Sequence, residues 1–148
     1  AASDVYKRQH LDFYPLLIKY RHKIVGGVVH CFTASKEILD SYLDLDMHIG
    51  ITGWICDERR GQDLQKIVHN IPENRLLIET DSPYLLPRTI RPKPKSRRNE
   101  PKFLPEVAKS VSEHSAQTPE EIAKITTQNA ITLFNLPIKD LTLNHPVD

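Results

Sequence analysis

Three short strand-like runs, separated by stretches of helical period, constrain this chain more than any other feature of its 148 residues. Val28-Val29-His30-Cys31-Phe32 follows the pair Gly26-Gly27, Met47 to Thr52 forms the second run and Arg75 to Asp81 the third. Each is short and apolar, as a strand covered on both faces must be. Around them the apolar positions step by three and four. Phe13, Leu16, Leu17, Tyr20 and Ile24 predict a helix over 11–24. Ile38, Leu39, Tyr42, Leu43 and Leu45 predict a second, capped by Thr33 or Ser35, and Leu64, Ile67 and Val68 a third near Gly61 to Asn70. Two more helices close the chain, one around Pro101 to Ser115 and one from Thr118, with Thr118 as N-cap, Pro119 at N1 and Glu121 at the capping-box position. Strands joined by helices of this length form parallel βα units with right-handed crossovers. Three such units do not close a barrel, so two sheet edges stay open.

The ends read differently. Ala1 to Gln9 has no hydrophobic period, and Asp4-Val5-Tyr6-Lys7-Arg8-Gln9 reads as the in-frame translation of a transposase adapter end used in preparing sequencing libraries. Residues 1–9 are therefore expected to be non-native, residues 10–136 to fold, and residues 137–148 to form a flexible tail. No apolar run reaches membrane length, and Cys31 and Cys56 lack CxxC spacing. The expected setting is the reduced cytoplasm, with no membrane partner.

Charge is distributed unevenly. The net charge is +1, but Arg88, Arg91, Lys93, Lys95, Arg97 and Arg98 fall in a stretch without an acid, and setting these six aside turns +1 into −5. That stretch lies within a Pro-rich loop, Ser82 to Pro101, that is long for a connector and reads either as an anion-binding loop or as a solvated one.

In parallel βα architectures, ligands gather at the carboxyl ends of the strands. His30 follows Val28-Val29 there, and Asp81 ends Leu76-Leu77-Ile78-Glu79-Thr80-Asp81, where apolar residues give way to acids. An imidazole and a carboxylate suit a divalent metal or proton transfer. Singly, His30 also reads as a structural or solvent-facing residue, and Asp81 as an Asx turn before Ser82-Pro83.

Four strings narrow the choice: His30-Cys31-Phe32-Thr33, Ile49-Gly50-Ile51-Thr52-Gly53-Trp54, Glu79-Thr80-Asp81-Ser82-Pro83-Tyr84-Leu85 and Arg97-Arg98-Asn99-Glu100-Pro101. In this order and spacing they resemble successive motifs of the TatD family of metal-dependent deoxyribonucleases, over about His10 to Leu136. Trp54 to Gly61 is similar to the branch from which that family takes its name. The resemblance implies the last three βα units of an amidohydrolase-type (β/α)8 barrel, whose complete form takes roughly 250 residues. It also implies further ligands outside this chain: a His-x-His pair, a Glu, and a fifth-strand His that would align with Val5, so His10 is not that ligand. Ala34 stands where the family usually has Gly.

On this resemblance, His30 is a metal ligand and Asp81 both a ligand and the water-activating base. By strand alternation Glu79 lies on the face of Asp81, where it supports the ligands or forms an internal salt bridge. Magnesium is the expected ion, with manganese or zinc as alternatives. Arg59, Arg60, Arg97, Arg98 and Asn99 would meet phosphates, and Trp54 and Tyr84 would stack on bases of single-stranded DNA or RNA or else serve packing. Arg98 could instead pair with Glu100 or Glu79. The implied activity is 3′ to 5′ exonucleolytic phosphodiester hydrolysis by a monomeric full-length parent, this chain alone being inactive. The alternatives are ester or amide hydrolysis, such as removal of a D-amino acid from transfer RNA, and a catalytically dead nucleic-acid-binding fragment.

Overall fold

The computed structural model describes residues 2–137, with side chains from His10 onward, so the expected tail falls almost entirely outside the described residues. Five α-helices, α1 (Ala2–Tyr20), α2 (Lys36–Asp44), α3 (Gln62–Ile67), α4 (Leu104–Ser112) and α5 (Pro119–Phe134), surround three strands, β1 (Val28–Val29), β2 (His48–Ile51) and β3 (Leu76–Ile78). The strands are parallel in the order β1-β2-β3, with Val29 opposite Ile49, and Ile49 in turn opposite Leu76. Each crossover carries a helix, as the alternation of periods requires.

Ile49 and Ile51 are fully buried and pack with Leu39, Leu64, Val107, Val111 and Ile122 in one core. Alternation puts Gly50 and Thr52 on the opposite face of β2. The fifth helix is fixed at both ends of its first turn: Thr118 Oγ1 accepts from the Glu121 amide at 3.2 Å, and Glu121 Oε2 accepts from the Thr118 amide at 2.7 Å. Asn129 Nδ2 donates to the carbonyls of Glu73 and Leu76, tying α5 to the start of β3.

Several element boundaries differ from expectation. Helix α1 begins at Ala2 instead of Leu11 and ends at Tyr20, followed by a 3-10 turn, Arg21–Lys23. Once nucleated, a helix extends backward at little cost per residue, so the absence of a hydrophobic period in residues 2–9 did not exclude helix. β1 has two residues instead of five because Cys31 adopts a left-handed φ of 50°, although Phe32 N returns to bond Gly50 O at 3.0 Å. β2 loses Met47 and Thr52, and β3 shrinks to three residues, with Asp81 also left-handed at φ 56°. Neither Cys nor Asp advertises that region as Gly does.

Both outer strands are edges. Beside β3 lies an apolar groove of about 490 Å³ lined by Leu77, Ile78, Leu104, Ala108, Ala123 and Ile131. On α1, Leu17 is buried while Leu11, Phe13, Leu16 and Ile18 are exposed. The helix is anchored by His10, which stacks on Tyr14 and shares a hydrogen bond with Tyr42 Oη at 3.1 Å.

Candidate metal centre and basic groove

At the carboxyl ends of the strands, His30, Glu79 and Asp81 converge, each offering a ligand atom within 4.8 Å of the others. His30 Nδ1 lies 2.5 Å from Glu79 Oε2, and His30 Nε2 lies 3.3 Å from Asp81 Oδ1. The imidazole is 65% exposed and the two carboxylates about one-fifth exposed, so the cluster opens to solvent on the imidazole side. Asp81 reaches it through its left-handed backbone. The alternation expected to align Glu79 with Asp81 stops at Glu79, whose amide makes the last ladder bond, to Ile51 O at 2.8 Å. Glu79 Oε2 also accepts from the Cys31 amide at 3.3 Å.

Burial is the largest influence on Glu79 and lifts its carboxyl above the ordinary value; His30 and the Cys31 amide pull it down and Asp81 pushes it up. Cys31 is driven to about 11, chiefly by burial, with Thr52 opposing and the charges of Asp81 and Glu79 adding, so it stays a thiol at neutral pH. Two carboxylates and an imidazole with mutual spacings of this size fit the donor separations around a small divalent ion, whose bonds run roughly 2.0–2.2 Å. Such an ion would also offset two negative charges that few donors satisfy here.

The segments that follow β2 and β3 at this edge of the sheet form a groove of about 780 Å³ lined by Trp54, Arg59, Arg60, Arg88, Arg91, Lys93, Lys95 and Arg97. Its wall is organised by Asp57, a residue with no expected role. Burial would raise the Asp57 carboxyl, yet the Arg59 and Arg60 amides (2.9 and 3.0 Å) and the Arg60 guanidinium (3.0 Å) outweigh it and hold the group at about 2. Glu58 takes a two-pronged contact from Arg88, Nε at 2.9 Å and the terminal nitrogen at 2.7 Å. The sequence signal for Asp57 was the acid placed two and three residues before Arg59 and Arg60, an Asx-type turn pattern.

The expected nucleic-acid residues divide. Arg59, Arg60 and Arg97 line the groove, Arg98 is exposed and Tyr84 stands 74% exposed beyond Asp81. Trp54 is half-buried, and the Arg60 guanidinium lies 4.5 Å over its ring, so that face is covered. Asn99, expected to meet phosphates, is only 2% exposed; it donates to Thr80 O at 2.6 Å and accepts from the Glu100 amide at 2.9 Å, which braces the loop that carries Asp81. Glu100 pairs with Lys102 and Glu79 with His30, in place of the Arg98 pairings considered above.

Fold and cluster together define a parallel α/β protein with a cation-competent donor group at the carboxyl edge of its sheet. The model of the TatD-related DNase family matches residues 6–135, starting inside the segment expected to be non-native. The chain belongs to that family. It is 49% identical over 130 residues to the 3′-5′ ssDNA/RNA exonuclease TatD of Edwardsiella piscicida, covering 88% of this chain and 50% of that protein. It is 51% identical over 124 residues to the protein of the same name from a Rahnella strain, with 84% and 47% covered. Among solved structures, the TatD homologue YJJV of Escherichia coli superposes with a TM-score of 0.75 at 27% identity, over 88% of this chain and 48% of that one. A TatD-family hydrolase of Entamoeba histolytica superposes with 0.73 at 25% identity, over 84% and 47%. The chain thus spans about half the length of the curated relatives it matches.

Proposed function

We propose that this chain carries part of the catalytic centre of a metal-dependent phosphodiesterase that removes nucleotides from the 3′ end of single-stranded DNA or RNA. The observation that carries the reading is the convergence of His30, Glu79 and Asp81 beside a groove lined with basic residues. The relatives' exonuclease names and their similarity to this chain support the substrate class. His30 and Asp81 would hold the ion, with Glu79 behind them. Magnesium suits phosphate substrates and carboxylate donors. A bound divalent ion supplies Lewis acidity toward a phosphoryl oxygen and makes a water easier to deprotonate. This chain's own residues do the rest: Asp81 accepts the proton of the attacking water, Glu79 fixes the imidazole of His30 through Nδ1, and Arg59, Arg97 and neighbouring lysines track the phosphates.

The chain would supply the last three βα units of a (β/α)8 barrel, with the first five bringing the remaining ligands. Its surroundings would be the reduced cytoplasm, which suits the buried free thiols of Cys31 and Cys56. No helix among the described residues is long and apolar enough to cross a membrane.

The test is reconstitution. Alone, residues 1–148 are expected to show no metal-dependent turnover. Joined to the first half of a relative, they should release labelled mononucleotides from a 3′-labelled single strand with magnesium or manganese, and Asp81→Ala should abolish release. Turnover by the isolated chain would refute the inactive-alone reading, and deacylation of charged transfer RNA without nucleotide release would replace the nuclease.

A further inference from the structure

β1 and β3 are not neighbours: β2 lies between them, and two strand spacings amount to roughly 10 Å. Yet Glu79, on the extension of β3, touches both His30 and the Cys31 amide on the extension of β1. Its carboxylate must therefore lie across the middle strand, over whatever residue β2 presents there. That residue is Gly50. A Cβ built on Gly50 would stand 1.8 Å from Glu79 Oε1 and 2.5 Å from its Cδ, closer than any non-bonded contact permits. Gly50 has no positive φ, so backbone freedom does not explain the glycine. What the position supplies is empty space above the sheet.

We propose that Gly50 is a positioning residue for the candidate metal centre: the missing side chain is what lets Glu79 bridge the two outer strands and hold the His30 imidazole. The proposal deepens the metal-centre reading and rests on it for its consequence, while the packing itself stands on geometry alone. With alanine at position 50, Glu79 has to leave its seat, and the hydrogen bond to the Cys31 amide goes with it. His30 then loses its Nδ1 partner, a loss of the kind that lowers metal affinity about ten- to a hundredfold.

The experiment uses the full 148-residue chain, Gly50→Ala, Glu79→Ala and the double variant, with two readouts: the Cys31 amide resonance by NMR without metal, and Mn2+ affinity by water-proton relaxation. Gly50→Ala should displace the Cys31 resonance and weaken Mn2+ binding about tenfold or more, whereas in the Glu79→Ala background the same substitution should change neither. If Gly50→Ala fails to fold, the double variant should fold, because the clash has been removed. An unmoved Cys31 resonance, equal effects in both backgrounds, or misfolding of both variants would overturn the proposal. If the unsubstituted chain binds no Mn2+ even when joined to the first half of a relative, the metal-centre reading fails separately, and the Cys31 resonance still decides the role of Gly50.

Discussion

The carboxylates of Asp57 and Glu79 both stand beside cationic or hydrogen-bonding groups near the same sheet edge, and they are treated in opposite ways. Asp57 is almost fully buried and collects two backbone amides and the Arg60 guanidinium, so its charge is more favourable folded than unfolded. Glu79 has one weak amide donor and one imidazole, faces Asp81, and has its carboxyl raised by burial. A satisfied buried acid builds structure, whereas an under-satisfied one stores a demand for positive charge that a ligand can meet. The contrast separates the wall of the groove from the centre it borders.

The largest expected effect breaks the contrast at the centre. Without added metal, Asp81→Asn should leave the melting temperature unchanged or higher, because a repelling charge is removed, while Mn2+ affinity falls about a hundredfold for loss of a ligand. A large loss of stability in titration calorimetry and thermal melts run together would mean that Asp81 is a structural turn residue after all.

At the wall the expectation reverses. Asp57→Asn should cost on the order of 2 kcal/mol at neutral pH, seen as a lower urea midpoint with an unchanged slope. The pH dependence carries the sign: a depressed folded-state pKa of about 2 against an ordinary 3.8 gives stability that is fully present above about pH 4 and lost as pH falls toward 2. The difference between parent and variant should vanish over that window. A difference that persists at pH 2 would show that Asp57 acts through shape and not through charge.

Glu79→Gln sharpens the comparison from the other side. Its raised pKa makes the charged form a burden, present above the ordinary carboxylate range and relieved as pH falls. The variant should therefore gain a few tenths of a kcal/mol at neutral pH without metal. A loss of stability on this substitution would place Glu79 with Asp57 among the satisfied acids. The smallest effect is expected in the groove. Lys95→Ala should weaken single-stranded DNA binding uniformly across sequences and lower the slope of log affinity against log salt by roughly 0.7.

The elements most legible in the sequence are those whose signals are local. Thr118, Pro119 and Glu121 announced the start of α5 and form the capping box found there. The short apolar runs located the three strands of the described residues, and the abrupt change from Ile78 to Glu79 and Asp81 marked the edge where the acids converge with His30. What stayed hidden depends on space. Arg88 meets Glu58 across 30 positions of chain, and Gly50 matters only because Glu79 crosses above it. Asn99 reads as a surface polar residue until its amide is seen spent on Thr80 and Glu100. The left-handed turn at Cys31 occupies a residue type that rarely signals it.

The order β1-β2-β3 has a mechanical meaning for the cluster. The imidazole hangs from one outer leaf of the sheet and both carboxylates from the other, while the middle leaf contributes only clearance. Donor spacing is therefore a gauge of how sharply the sheet is curled. Flattening the sheet pulls the imidazole away from the acids, and tightening it presses them together, so the grip on a cation and the curvature of the strands are one degree of freedom.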